Sequence, residues 1–277
     1  MKFLLAILNL FLYSNLFISV CAAAMTAETY LLIHANLNWF YIAFVFFSTL
    51  ALYNFPVLFT SAFSADGPER HQWVWNHRRL LAVLCFVGSI AAGALSLFFP
   101  LKFTGWFIPI GLLALAYFFP QTRLRGITIL KTVLVAFVWC CTTTVFPFLL
   151  ASDFQLPHSL VSGNGTVLLQ NFLFILPLCL VFNVRDIEAD LRAGIRTIPG
   201  LYGVNTTVFL CTIFFALFFV LVILSPALWE YRESLLISGF FAAGLTLFAS
   251  EKRGEYYYML GVDGAILLQA ILLFIQH

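Results

Sequence analysis

Apolar runs long enough to cross a bilayer recur from one end of this chain to the other, separated by short polar stretches. A hydrocarbon core of about 30 Å is crossed by roughly 17 to 25 apolar residues in a helix. That criterion places segments near 3–24, 38–62, 79–99, 103–119, 128–151, 166–183, 204–224, 234–249 and 256–275. The pattern predicts an all-α integral membrane protein of about nine transmembrane helices, folded as a single polytopic domain over residues 1–277. Polar residues gather in the connections near 63–78, 120–127, 152–165, 184–203 and 250–255, where chemistry is expected.

Composition agrees: hydrophobic residues make up 62% of the chain, charged residues 9%, and mean hydropathy is +1.01. A soluble domain carries about 25% charge, so a separate soluble domain is excluded. The net charge of +2 is too small to imply nucleic acid. Cys21, Cys85, Cys140, Cys141, Cys179 and Cys211 all fall inside apolar runs without metal-ligand spacing, and read as small core residues. Lys2 followed by an apolar stretch and Cys21 to Ala24 has some signal-peptide character. The run is longer than a usual signal core, so a retained first helix is expected.

The distribution of charge carries more information than its sum. With nine spans, twelve of the fourteen Lys and Arg fall on one face, and only Lys102 and Arg232 fall on the other. Such asymmetry marks the cytoplasmic side. The expectation is a cytoplasmic N-terminus in a membrane such as a bacterial inner membrane, with the polar connections that follow the even-numbered helices facing the same side.

The densest polar stretch is "NVRDIEADLRAGIRTIP", Asn183 to Pro199. On a helix, Asn183, Asp186 and Asp190 lie at i, i+3 and i+7 and share a face. Two carboxylates there repel each other unless a cation joins them, and Mg²⁺ is suited to that role because it takes oxygen ligands and bridges carboxylates to substrate phosphates. Arg185, Arg192 and Arg196 supply guanidinium donors for a polyanion. Gly194 allows a turn, and Thr197 and Pro199 read as a helix restart. A solvated loop with local ion pairs is the plainer reading of the same residues.

The stretch resembles the second aspartate-rich motif of the UbiA-type membrane prenyltransferases, D-x-E-x-D followed by G, T-x-P and G. Those positions are Asp186, Glu188, Asp190, Gly194, Thr197, Pro199 and Gly203 here. The family's tyrosine and proline followed by basic residues are similar to Tyr117, Pro120, Arg123, Arg125 and Lys131. The resemblance implies a bundle of about nine helices with a central cavity open to the cytoplasm. It also implies transfer of an isoprenoid group from a prenyl diphosphate to an aromatic or other lipophilic acceptor among membrane lipids, with Mg²⁺ as cofactor.

By the same resemblance, Asp186 and Asp190 would hold the metal and carry catalysis. Asn54, Arg70, Arg123, Arg125, Lys131, Asn183, Arg185, Arg192 and Lys252 would bind substrate. The family's first motif, N-D-x-x-D-x-x-x-D, keeps only its leading amide, Asn54. Phe55, Leu58 and Ala62 stand at its acidic positions. That leaves open an enzyme with a reduced metal site or a noncatalytic isoprenoid-binding relative. A third possibility is an ion-coupled transporter running through Asp186, Asp190 and Asp263. Clustering of the acids at one membrane edge among arginines favours phosphate over ion transport.

Overall fold

A computed structural model describes residues 2–59, 69–118, 128–154, 165–192 and 194–277. Every described element is helical. The first half of the chain forms α1 (Lys2–Tyr13), α2 (Leu16–Leu32), α3 (Trp39–Asn54) with a 3₁₀ turn over Phe55–Leu58, α4 (Glu69–Asn76), α5 (Arg78–Ser96) and α6 (Leu101–Phe118). It is followed by α7 (Thr128–Cys140), which runs through a π turn into α8 (Phe146–Ala151), and by α9 (Gly165–Arg185), α10 (Ile187–Arg192) and α11 (Ile198–Tyr202). The last elements are α12 (Val204–Leu224), α13 (Arg232–Leu247) and, after a π turn over Tyr257–Val262, α14 (Asp263–Gln276).

Among the described residues, six helical stretches are long and apolar enough to cross a membrane: 39–58, 78–96, 131–151, 165–185, 204–224 and 257–276. A seventh crossing arises if α1 and α2 count as one span bent by 58°. The two remaining expected segments are α6 and α13, of 18 and 16 residues. At 1.5 Å per residue, α13 reaches only about 24 Å, so the full count of nine rests on helices shorter than a hydrocarbon core. The first expected segment, 3–24, is also redrawn. Asn15 takes a left-handed φ of 64°, which breaks the helix, and the chain then continues to Leu32.

Helix α2 packs on α3 and α14, α3 on α5, α7 on α9, α9 on α12, and α13 on both α12 and α14. The result is a ring of α2, α3, α7, α9, α12, α13 and α14, with α5 against the flank of α3. The α3–α5 contact is close because Gly88 has no side chain: a Cβ there would lie 2.8 Å from the Phe47 carbonyl oxygen. Phe and Leu side chains on the outer faces of α5, α12 and α13 remain exposed, as lipid-facing positions should. Inside the ring, polar side chains bond across helices where lipid offers no alternative partner. Gln269 donates to Glu28 at 2.9 Å and Asn171 donates to Thr144 at 2.8 Å.

Candidate functional site

The site is built where α9 ends. After Asn171 the helix runs apolar to Phe182, then presents Asn183 to the cavity and stops at Arg185. Asp186 sits in the turn between α9 and α10, and Asp190 occupies the buried face of α10. The chain then reverses at Gly194, whose φ of +70° suits glycine. Thr197 caps α11, its side-chain oxygen accepting from the Gly200 amide at 3.4 Å, with Pro199 in the first turn. These turns hold α10 against the end of the bundle, so Asp190 points inward rather than into solvent.

Inward of this end lies a cavity of about 240 Å³ between α2, α3, α7, α9 and α14. Its wall is mostly apolar, with Ile18, Leu134, Val138, Ile175, Leu178 and Ile266 joined by the aromatic rings of Tyr53, Trp139 and Phe182. Its polar end is lined by Arg70, Lys131, Asn183, Arg185, Asp186 and Asp263. A second cavity of about 250 Å³, lined without any charged residue, adjoins it. Tyr53 and Trp139 line both, and the Trp139 indole N–H donates to the Tyr53 hydroxyl at 3.0 Å.

Of the charged groups at the polar end, Lys131, Arg185 and Asp186 are already paired, whereas Asp263 is in none of the ion pairs among the described residues. Lys131 Nζ lies 2.5 Å from Asp190 Oδ2, and both side chains are below 10% exposed, at 6% and 8%. Arg185 grips Asp186 with two bonds, Nε to Oδ1 at 2.7 Å and Nη2 to Oδ2 at 3.1 Å. Its guanidinium also lies 4.9 Å over the Phe182 ring. Arg70 and Arg185 share Glu255 more loosely, at 3.8 and 3.5 Å. Burial opposes ionisation of Asp186, but Arg185, Arg70 and Lys131 outweigh it and hold the carboxyl below its usual range. Burial and the neighbouring Arg185 lower the pKa of Arg70. Its Nε is enclosed without a hydrogen-bond partner.

The structure thus brings Arg70, Lys131, Asn183, Arg185 and Asp186 to one cavity, with Asp190 behind Lys131. Asn183 is oriented by its bond to the Thr132 hydroxyl, 2.7 Å away. Asn54 does not line the cavity. Its amide donates to the Ser14 and Leu50 carbonyls at 3.0 and 2.9 Å, and its oxygen accepts from Asn15 at 3.0 Å. Through Asn15, which does line the cavity, Asn54 fixes the bend between α1 and α2.

Arg192 is exposed and pairs with Glu188 at 2.9 Å, and Lys252 is exposed away from the cavity. Arg123 and Arg125, like Ala62 and Asp66, lie outside the described residues. Sequence reasoning missed Asn15, Tyr53, Trp139 and Glu255. Glu255 alone carried a signal, as an acid in the last polar connection.

The expected sharing of Mg²⁺ by Asp186 and Asp190 meets a different donor chemistry. Each carboxylate already holds a basic side chain, and the turn after α3 carries Phe55 and Leu58 rather than acids. Among the described residues no cluster of three or more His, Cys, Asp or Glu is placed to hold a metal ion. These residues do not fit a carboxylate-bridged metal pair.

No family model and no curated protein matches the chain. Solved membrane-protein structures do. A UbiA homolog from Aeropyrum pernix K1 aligns with a TM-score of 0.62 at 15% identity, over 93% of this chain and 94% of its own. A UbiA homolog from Archaeoglobus fulgidus bound to DMAPP and Mg²⁺ aligns with a TM-score of 0.62 at 11% identity, over 96% of this chain and 98% of its own. A digeranylgeranylglyceryl phosphate synthase aligns with a TM-score of 0.58 at 13% identity, over 97% of each chain. With whole-length agreement at such low identity, what is shared is the architecture: this chain has the UbiA-type membrane fold.

Proposed function

We propose that the protein is a divergent UbiA-type membrane enzyme that binds a prenyl diphosphate in the central cavity and passes its isoprenoid group to an aromatic or other lipophilic acceptor. One observation carries the reading: an apolar, aromatic-walled cavity ends in Lys131, Arg70, Arg185, Asn183 and Asp186. An amphiphile with a long hydrocarbon tail and a polyanionic head has the matching shape and charge. The Archaeoglobus fulgidus homolog of this fold, bound to DMAPP and Mg²⁺, supports the same ligand class. The one-sided distribution of Lys and Arg supports a polar end facing the cytoplasm.

In this reading the basic groups meet the leaving diphosphate, where negative charge grows as the allylic carbon–oxygen bond ionises. The faces of Tyr53, Trp139 and Phe182 border the space where the allylic cation forms, and their π systems favour it. The apolar wall keeps water from capturing that cation before the acceptor does. Asn183 orients the diphosphate, and Asp186 holds Arg185 in place beside it. Asp190 is the counter-ion of Lys131 and does not itself line the cavity.

A noncatalytic isoprenoid-binding role is the second reading, favoured by the non-acidic Phe55 and Leu58 on the turn after α3. The experiment is to incubate the purified protein with geranylgeranyl diphosphate and a panel of quinone, chlorin and hydroxybenzoate-type acceptors, and to measure diphosphate release. The enzyme reading expects release that falls at least about tenfold in Lys131→Met, the loss of one charge-assisted contact to the diphosphate. Saturable binding without release for any acceptor supports the noncatalytic reading. Absence of binding contradicts both.

A further inference from the structure

The polar end of the cavity sets three fixed side-chain cations, Lys131, Arg70 and Arg185, beside the carboxyl groups of Asp186 and Asp263. Lys131 enters from α7 and Arg185 from the end of α9, while Arg70 arrives from α4. Each of the two motif aspartates is engaged by one of them: Asp190 with Lys131 at 2.5 Å, Asp186 with Arg185 through two bonds. A divalent ion approaching either carboxylate would meet an ammonium or a guanidinium already there, and like charges at such distances repel strongly in a site of low dielectric. The turn after α3 carries Phe55 and Leu58, neither of which lines this cavity, and the carboxamide of Asn54 is bonded to Ser14, Leu50 and Asn15.

The donors point to an anion instead. The Arg70 Nε–H is enclosed and unpartnered on the cavity wall. The contacts of Arg70 and Arg185 to Glu255, at 3.8 and 3.5 Å, are too long to be strong hydrogen bonds. A phosphate oxygen entering between these groups would gain charge-assisted bonds while displacing only a loosely held carboxylate. Lys131 lines the same cavity and is bonded to Asp190, which does not line it.

Building on the proposed ligand class, we infer that this site compensates a bound diphosphate with Lys131, Arg70 and Arg185 and requires no divalent cation. Lys131 and its neighbours occupy the electrostatic role that a carboxylate-bound metal would otherwise fill. The sign of one substitution separates the two designs. If Asp190 were a metal ligand, Asp190→Asn would weaken diphosphate binding. As the counter-ion of Lys131, its neutralisation leaves binding equal or tighter.

The test uses the full chain in lipid nanodiscs, with equilibrium binding of geranylgeranyl diphosphate measured after EDTA treatment and again in excess MgCl₂. The expected dissociation constants agree within about threefold, and Lys131→Met weakens both by about tenfold or more. Asp190→Asn is expected to match or exceed wild-type affinity in EDTA. A wild-type affinity that depends on Mg²⁺ by more than about threefold overturns the inference and leaves the proposed function standing. Absence of binding in both buffers removes the proposed function as well. The wild-type comparison decides the matter whether or not the variants fold.

Discussion

Lys131 and Asp190 form the most consequential single contact in the molecule. Both are nearly excluded from solvent, so each leaves a buried charge behind if the other is removed. Lys131→Met should therefore lower stability by about 3–5 kcal/mol, and the double variant Lys131→Met/Asp190→Asn should recover most of that loss. Thermal unfolding read with a thiol-reactive dye is well suited to the comparison, because all six cysteines are free and only Cys179 is not fully buried. A double variant no more stable than the single would show that the pair contributes little.

Asp186 makes a different prediction at the same scale. Its folded pKa is depressed, so its ion pair contributes stability above the unfolded carboxyl pKa and loses it as pH falls through the lower folded value. The contribution of this ion pair should stay flat from neutral pH down to about 4 and then fall. Asp186→Asn should shrink that acid drop. An unchanged acid limb in the variant would place the linkage elsewhere.

At the scale of elements, the bend between α1 and α2 and the contact of α5 on α3 fix where the cavity wall stands. Asn15→Ala removes the donor to the Asn54 oxygen and to the Tyr53 carbonyl, bonds of 3.0 and 3.3 Å. A loss of about 1–3 kcal/mol is expected, measurable by the same unfolding assay. Gly88→Val would drive a side chain into the α3 backbone at Phe47 and Ala51. A cost of about 1–3 kcal/mol should follow, and because α3 carries Tyr53, ligand affinity should fall with it. A Gly88→Val protein of unchanged stability would mean the two helices separate freely.

Much of this level was legible in the sequence. Apolar run length located the helices, since a bilayer enforces that length whatever the packing. The restart at Thr197 and Pro199 was legible because caps are local chemistry. The break at Asn15 was not: a left-handed residue inside an apolar run is held there by Asn54, a partner on another helix. The shortness of α13 was hidden for a related reason, because hydropathy registers composition and not where hydrogen bonding ends.

For the whole molecule, the ring of helices encloses a cavity with one charged end and an apolar body. The motif residues Asn183, Asp186 and Asp190 were legible as a group because helical spacing aligns them. Their partners were not, since Lys131 and Arg70 come from α7 and α4, distant in sequence, and only the tertiary fold brings them to the same cavity end. Reading the aspartates without those partners suggests a metal site. Reading them with the partners gives a set of ion pairs that a polyanion can enter. The non-acidic Phe55 and Leu58 on the turn after α3 are consistent with that pairing.

The central claim is that one ligand occupies both the apolar body and the charged end. It is tested most directly by comparing the affinities of farnesyl diphosphate, farnesol and inorganic diphosphate for the nanodisc-embedded protein. Each charge-assisted contact is worth about 1.5–3 kcal/mol and each buried methylene about 0.8 kcal/mol. The conjugate is thus expected to bind at least about a hundredfold more tightly than either fragment, with its advantage over farnesol lost in Lys131→Met. Equal affinity for farnesyl diphosphate and farnesol would contradict the account, because the charged end would then take no part in recognition.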